Sequence, residues 1–161
     1  MSETRSNLRV DGKRLLNRLA SLGAIGDTGD GGARRLALSE EDRQGRAWLM
    51  AEMEAIGLTI ESDKIGNIFG TLPGREPGPP VMLGSHIDTV GTGGRYDGAY
   101  GVLAGLEALA VLRDAGITPR HSICVAAFTN EEGARFQPDM MGSCVHAGVL
   151  SLEVAYAAKD A

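Results

Sequence analysis

Cysteine is nearly missing from this chain, which holds only Cys124 and Cys144 among its 161 residues. Two thiols allow at most one disulfide, which excludes a small secreted fold stapled by several bridges. Basic charge is short as well. Lys and Arg number 16 against 21 Asp and Glu, a formal net charge of −5, and that balance argues against a nucleic-acid surface or a polybasic membrane anchor. Long apolar runs are absent: the most membrane-like stretch, Gly98–Leu112, is interrupted by Glu107 and too short to span a bilayer. Met1–Arg14 is polar and charged and lacks the apolar core of a secretory signal. Internal repeats, heptads and low-complexity blocks are not found. Glycine, by contrast, is abundant at 23 residues, about twice its usual share. Many backbone positions therefore call for positive φ or close approach. The expectation is one globular, soluble, cytoplasmic domain.

Strand and helix signals alternate along the chain. Asp11 can cap a helix whose Leu15, Leu16, Leu19 and Leu22 fall on one side. Gly26–Gly32 (GDTGDGG) is a loop by composition. Ser39 followed by Glu40, Glu41 and Asp42 reads as a helix start with acids in its first turn, and Leu49, Met50, Met53 and Ile56 then recur at helical spacing before Gly57. Short strands are expected over Leu58–Glu61 and Asn67–Leu72, with Gly66 in the turn between them. GREPGPP, Gly74–Pro80, cannot hold regular structure. Val81–Leu83 follows as a continuous apolar run, the pattern of a strand buried on both faces. A Gly-rich loop, Gly91–Gly98, leads into a helix over Ala99–Arg113 that is apolar almost all round and hence buried. Ser122–Phe128 reads as a second buried strand, and Ser143–Val149 and Ser151–Lys159 as short helical pieces. Strands alternating with helices predict an α/β layered fold with mainly parallel central strands.

Three polar clusters each follow an apolar strand or open a helix, which in α/β sheets is the edge where ligands bind. The first is GSHIDTV, Gly84–Val90, in which His86 and Asp88 project to one face of an extended chain. A metal-binding imidazole needs its second ring nitrogen held, commonly by a carboxylate, and Asp88 is close enough in sequence to do so. A buried His bonded to a nearby Asp for structural reasons fits that pair equally well. The second cluster is Arg95-Tyr96-Asp97-Gly98, at the mouth of the buried helix, where Asp97 can be a helix cap, a metal ligand or both. The nearby glycines do not make a nucleotide site, since neither G-x-G-x-x-G nor a Gly-Lys-Ser/Thr follows. The third is TNEEGARF, Thr129–Phe136. Adjacent carboxylates at a strand end repel each other unless a cation or a proton answers them. One as metal ligand and its neighbour as proton shuttle is a coherent division of labour. Together His86, Asp97 and Glu132 form a His/carboxylate set suited to a hydrolytic zinc or manganese centre.

GSHIDTV, GGRYDGAYGVLAGLEAL, FTNEEGARF and MMGS together resemble the amidase/carbamoylase branch of the M20 metallohydrolases, the branch of N-carbamoyl-L-amino-acid hydrolases, allantoate amidohydrolases and β-ureidopropionases. The likeness runs over nearly the whole chain. It implies an incomplete three-layer, zinc-peptidase-like α/β catalytic domain and a centre of two divalent ions, zinc or manganese first, with cobalt or nickel as further candidates. By the same resemblance His86 binds one metal, Asp97 bridges both, Glu132 ligates the second, Glu131 is the general base and Asp88 orients His86. The implied substrate is a small ureide or amide, with no nucleic-acid or membrane partner. Peptidases of the clan carry Asp-Asp-Lys-Gly at the bridging position, which Tyr96-Asp97-Gly98-Ala99 is not. A metallopeptidase or deacylase is thus the second reading, and a non-catalytic fragment the third.

The resemblance also sets what is missing. Family members are more than twice this length, draw further metal-binding histidines from beyond Ala161, and carry a lid and dimerisation domain that makes the full-length protein a homodimer. His121 and His146 lie in no metal motif of the family; the first reads as a surface residue and the second as packing. Cys124 reads as core strand and Cys144 as a small residue at helix contacts. The expectation is that residues 1–161 form the N-terminal part of a larger catalytic domain, with sheet edges meant for further strands. The isolated chain is accordingly expected to be marginally stable or to aggregate. Thermal melting with light scattering checks this, and a cooperative melt of a monomer counts against it.

Overall fold

The computed structural model describes residues 7–161; residues 1–6, and with them part of the polar Met1–Arg14 segment, lie outside the described residues. The element order is α1 (Gly12–Gly23), β1 (Gly32–Ala33), α2 (Glu40–Ala55), β2 (Thr59–Ser62), β3 (Ile68–Leu72), β4 (Val81–His86), β5 (Gly93–Gly94), α3 (Ala99–Asp114), β6 (Ile123–Phe128), α4 (Met141–His146) and α5 (Leu152–Tyr156). Local signals explain the helix starts. The Asp11 carboxylate accepts from the Lys13 and Arg14 amides at the head of α1, and the Ser39 hydroxyl accepts from the Asp42 amide at the head of α2. Leu19 and Leu22 turn inward from α1, whereas Leu16 stays mostly exposed.

The main sheet has four strands in the order β2-β3-β6-β4. The expected α/β layering is present, but the expectation of mainly parallel strands holds for one pair only. β4 and β6 run parallel, while β2/β3 and β3/β6 are antiparallel. The reason lies in the connections. β4 and β6 are joined through helix α3, which permits parallel pairing, whereas the short turn between β2 and β3 forces them antiparallel. A second expectation is also corrected. Val81–Leu83 extends into a six-residue strand ending at His86, and it is the outer strand of the sheet. Val81 is therefore 57% and Leu83 38% exposed rather than buried on both faces.

Strand alternation decides which helix covers which face. Gly70 of β3 faces Met53 of α2, and its register partner Val125 of β6 faces Gly105 of α3, so α2 and α3 cover one face. α1 packs on α3 from outside. Phe69, one residue out of phase, meets the His146 ring of α4 at 5.3 Å on the other face, and Phe128 meets the same ring at 5.8 Å. His146 thus lies against both rings while staying exposed itself. The β4/β6 register pairs His86 with Phe128, so the segments leaving both strands emerge side by side.

Glu107 interrupts the apolar face of α3 because it ties α3 to α1. Its side chain is fully buried and accepts from Arg14 Nε at 2.7 Å and Arg18 Nη1 at 3.1 Å, and from the Asp11 amide at 2.9 Å. Burial alone pushes this carboxyl up, but the bonds from Arg14 and the Asp11 amide outweigh it and hold it below the ordinary glutamate value. A lowered folded value means that the contribution is present above the unfolded value and is lost as pH falls through the folded one. Glu107→Gln is expected to cost about 2 kcal/mol at pH 7, since Arg14 and the buried Arg18 would both lose their shared carboxylate, leaving Arg18 paired with Glu52. Urea unfolding against pH checks both points: the variant should lose less stability than the parent on the acid side.

Candidate metal centre

The candidate residues come from three places that the fold brings to one edge. His86 is the last residue of β4. Glu131 and Glu132 follow the end of β6, its parallel neighbour. Asp97 lies just before α3, the helix that connects these two strands. Donor atoms of His86, Asp97 and Glu132 all lie within 4.8 Å of one another. His86 is buried, Glu132 partly buried and Asp97 exposed, so the cluster opens to solvent on the Asp97 side.

Asp97 is freed for this position by the way α3 begins. The expectation that Asp97 caps the helix is not met: Gly98 is the N-cap residue, at φ 61°, and no side chain bonds the first turn. Glycine is required there on two counts. An L side chain resists that backbone angle, and a Cβ on Gly98 would overlap the His86 imidazole.

Asp88 organises the remainder. Its backbone carbonyl lies 3.0 Å from His86 Nδ1. A carbonyl only accepts, so Nδ1 is the donor in this contact, which turns Nε2 toward the cluster. The Asp88 carboxylate is further from the ring, 3.7 Å from Nδ1. It accepts instead from the backbone amides of Glu131 and Glu132, each at 3.3 Å. Asp88 therefore meets His86 through its main chain, while its side chain holds the amides of the paired glutamates. Glu131 extends back to place Oε2 at 3.3 Å from His86 Nε2.

The turn that delivers the glutamate amides depends on Asn130, which adopts φ 52°, a region that asparagine tolerates better than most residues. Its Nδ2 donates to the carbonyls of Phe136 at 2.7 Å and Pro138 at 3.2 Å. Asn67, fully buried, accepts from the Thr129 amide at 2.9 Å and donates to the Gly142 carbonyl at the same distance. No sequence signal marks Asn67, since a polar residue before a strand is ordinarily part of a turn. Arg35 escaped notice for a similar reason: an arginine near a Gly-rich loop is normally solvated, yet here it is 1% exposed.

The electrostatics call for a cation. Burial pushes the Glu132 carboxyl above its ordinary value; Asp97, Glu131 and Asp88 push the same way, and His86 pulls against them. Carboxylates gathered at one point are costly without a compensating positive charge. An imidazole and two carboxylates in reach of one point form a donor set for zinc or manganese, so the residues fit a divalent ion. His121 and His146 lie outside this cluster.

With that geometry in place, comparison with known proteins gives the family. Residues 67–149 match the family described as Peptidase family M28. The chain belongs to that metallohydrolase family, whose members use divalent metal. The expected resemblance to carbamoylases and allantoate amidohydrolases is met by the relatives and solved structures that the chain matches. The N-carbamoyl-L-amino-acid amidohydrolase of Rhizobium meliloti is 46% identical over 99% of this chain and 39% of its own length. The allantoate amidohydrolase of Bacillus subtilis is 39% identical over 86% of this chain and 34% of its own. A hydantoinase/carbamoylase family amidase from Burkholderia ambifaria superposes with a TM-score of 0.94 at 47% identity, covering 96% of this chain and 38% of that one. The chain thus spans less than two fifths of the length of these relatives.

Gly98→Ala is expected to weaken binding of a divalent ion by at least tenfold, because the added methyl must displace the His86 ring. Calorimetric titration with zinc or manganese checks it, with the melting temperature of the metal-free variant as the control for folding.

Proposed function

We propose that this chain supplies the N-terminal part of the catalytic domain of a metal-dependent amidohydrolase that cleaves non-peptide C–N bonds of the N-carbamoyl-L-amino acid or allantoate type. One observation carries the reading: His86 and Glu132, from the ends of adjacent parallel strands, and Asp97, from the head of the helix that joins them, converge within 4.8 Å, with Glu131 beside them. The names of the relatives point to the same bond class. In this reading His86, through Nε2, and Glu132 each hold one of two divalent ions, zinc or manganese in first place with cobalt or nickel as alternatives, and Asp97 is shared between them. When bound, such ions polarise the carbonyl under attack and lower the pKa of a water.

The remaining work falls to this chain's side chains. Glu131 is partly exposed, at 34% of its side chain, and so reaches both the ligand cluster and solvent. It accepts a proton from the attacking water, whose oxygen bonds to the ureido or amide carbon. As the C–N bond breaks, Glu131 returns that proton to the departing nitrogen. Asp88 fixes the aim of both glutamates through their amides and the orientation of the His86 ring through its carbonyl. In this reading a lid and dimerisation domain, further histidine ligands and the substrate-contacting groups belong to a part of the protein outside residues 1–161. The complete protein in this reading is a cytoplasmic homodimer acting on a small molecule, with no nucleic-acid or membrane partner. Among the described residues no helix is long and apolar enough to cross a membrane.

A peptidase or deacylase is the second reading, favoured by the family match over residues 67–149. The test uses the protein as its own gene produces it, with intact mass measured first. Loaded with manganese or zinc, it should release ammonia or amino acid from a carbamoyl amino acid or allantoate and leave dipeptides intact. The opposite pattern overturns the proposal in favour of the peptidase. Glu131→Ala should lower turnover by about 100-fold or more while metal stays bound. Loss of the metal instead would mean that Glu131 and Glu132 have exchanged roles.

A further inference from the structure

Arg35 is a buried cation that the reaction outlined above does not use. Its guanidinium makes hydrogen bonds to main-chain carbonyls only. Nη1 donates to Leu22 at 3.1 Å and Ile25 at 2.8 Å, where α1 ends, and Nε donates to Ile87 at 2.7 Å. The first two are ordinary capping of a helix C-terminus by a positive charge. The third is different, because Ile87 lies between His86 and Asp88. The backbone of Arg35 grips the same segment from its other end: its amide donates to Thr89 Oγ1 at 2.8 Å, and its carbonyl accepts from the Thr89 amide at 2.9 Å. Arg35 is therefore bonded to the residues on both sides of Asp88.

Space has been made for this arrangement. Gly45, within α2, faces the Arg35 side chain, and a Cβ there would come within 2.7 Å of Arg35 Cδ. Glycine inside a helix is less favourable than alanine, a cost that a solvated arginine would not require.

We propose that Arg35 is a positioning residue of the metal centre. By clasping Ile87–Thr89 it fixes the Asp88 carbonyl that holds His86 Nδ1 and the Asp88 carboxylate that holds the Glu131 and Glu132 amides. The proposal rests on the reading of His86, Asp97 and Glu132 as ligands. It requires that disturbing Arg35 be felt at His86, beyond any loss of overall stability. An arginine that only caps α1 would instead lower stability and leave the centre unchanged.

Three variants test it in the protein as its gene produces it: Arg35→Met, Arg35→Lys and Gly45→Ala. Cobalt(II) is the probe, read by visible absorption, and labelling with ¹⁵N-histidine reports the His86 ring without metal, its signal assigned by loss in His86→Asn. Arg35→Met should weaken cobalt binding by about 10- to 100-fold, the range for groups that orient metal ligands, and should shift both the cobalt bands and the His86 Nδ1 resonance. Arg35→Lys should recover part of each. Gly45→Ala keeps the charge and favours the helix, yet should move the same signals in the same direction by displacing Arg35. It decides the matter if Arg35→Met fails to fold. Folded variants with parental cobalt affinity and an unmoved His86 resonance overturn the proposal. If the parent protein itself binds no cobalt, the ligand reading fails instead, and the His86 resonance alone decides the role of Arg35.

Discussion

The arrangement of the site depends on Asp88, which makes two different kinds of contact. Its carbonyl meets the His86 ring and its carboxylate meets two successive amides after β6. These contacts join what the chain separates by more than 40 residues. Without them, β4 and β6 would still lie side by side, since their pairing is a backbone matter. The loops beyond the strands would then have no reason to hold one imidazole and a pair of glutamates at a common point. The Asp88 carboxylate puts one oxygen on each of the two amides, so it holds the turn while the neighbouring carboxylates face the cluster.

The helices support this arrangement from behind. α3 begins at the site with Gly98 and carries Glu107 in its middle, and through Glu107 the helix is pinned to α1 by Arg14 and Arg18. α1 in turn ends on Arg35, which returns to Ile87. The path from Glu107 to the ligand cluster therefore runs through the buried ionic contacts of two helices and one arginine. Stability and site geometry share these residues, so a loosened α1 would reach the Asp88 segment as well as the core.

Much of the fold was legible in the sequence, because its local signals agree with its packing. Asp11 and Ser39 cap the helices that they appear to cap, and β3, α3 and β6 fall where apolar runs and glycines place them. Strand direction was not legible, since an apolar run has the same pattern in either orientation and only the connection settles it. Burial of β4 was misread for a related reason: Val81 and Leu83 look like a central strand, but apolar composition does not report a strand's place in the sheet. At the site, His86, Asp97, Glu131 and Glu132 were legible because carboxylates and histidine at strand ends are chemically conspicuous. The supports were not. Arg35, Asn67 and the main chain of Asp88 act through backbone partners that no spacing rule marks, and Gly98 displaced Asp97 from the cap because its neighbour is an imidazole far away in the sequence.

The pairing of His86 with Phe128 across β4 and β6 has a consequence for folding. Side chains on a strand alternate with period two, so sliding β4 by a single residue would send His86 to the opposite face of the sheet. Asp97 and Glu132, set by α3 and by the turn after β6, would not follow. Only one alignment of these strands completes the cluster, and any ion that prefers the completed cluster stabilises that alignment over its neighbours by mass action. Strand register and site therefore stand or fall together: a slipped β4 would lose the cluster in the same step as the packing of the sheet.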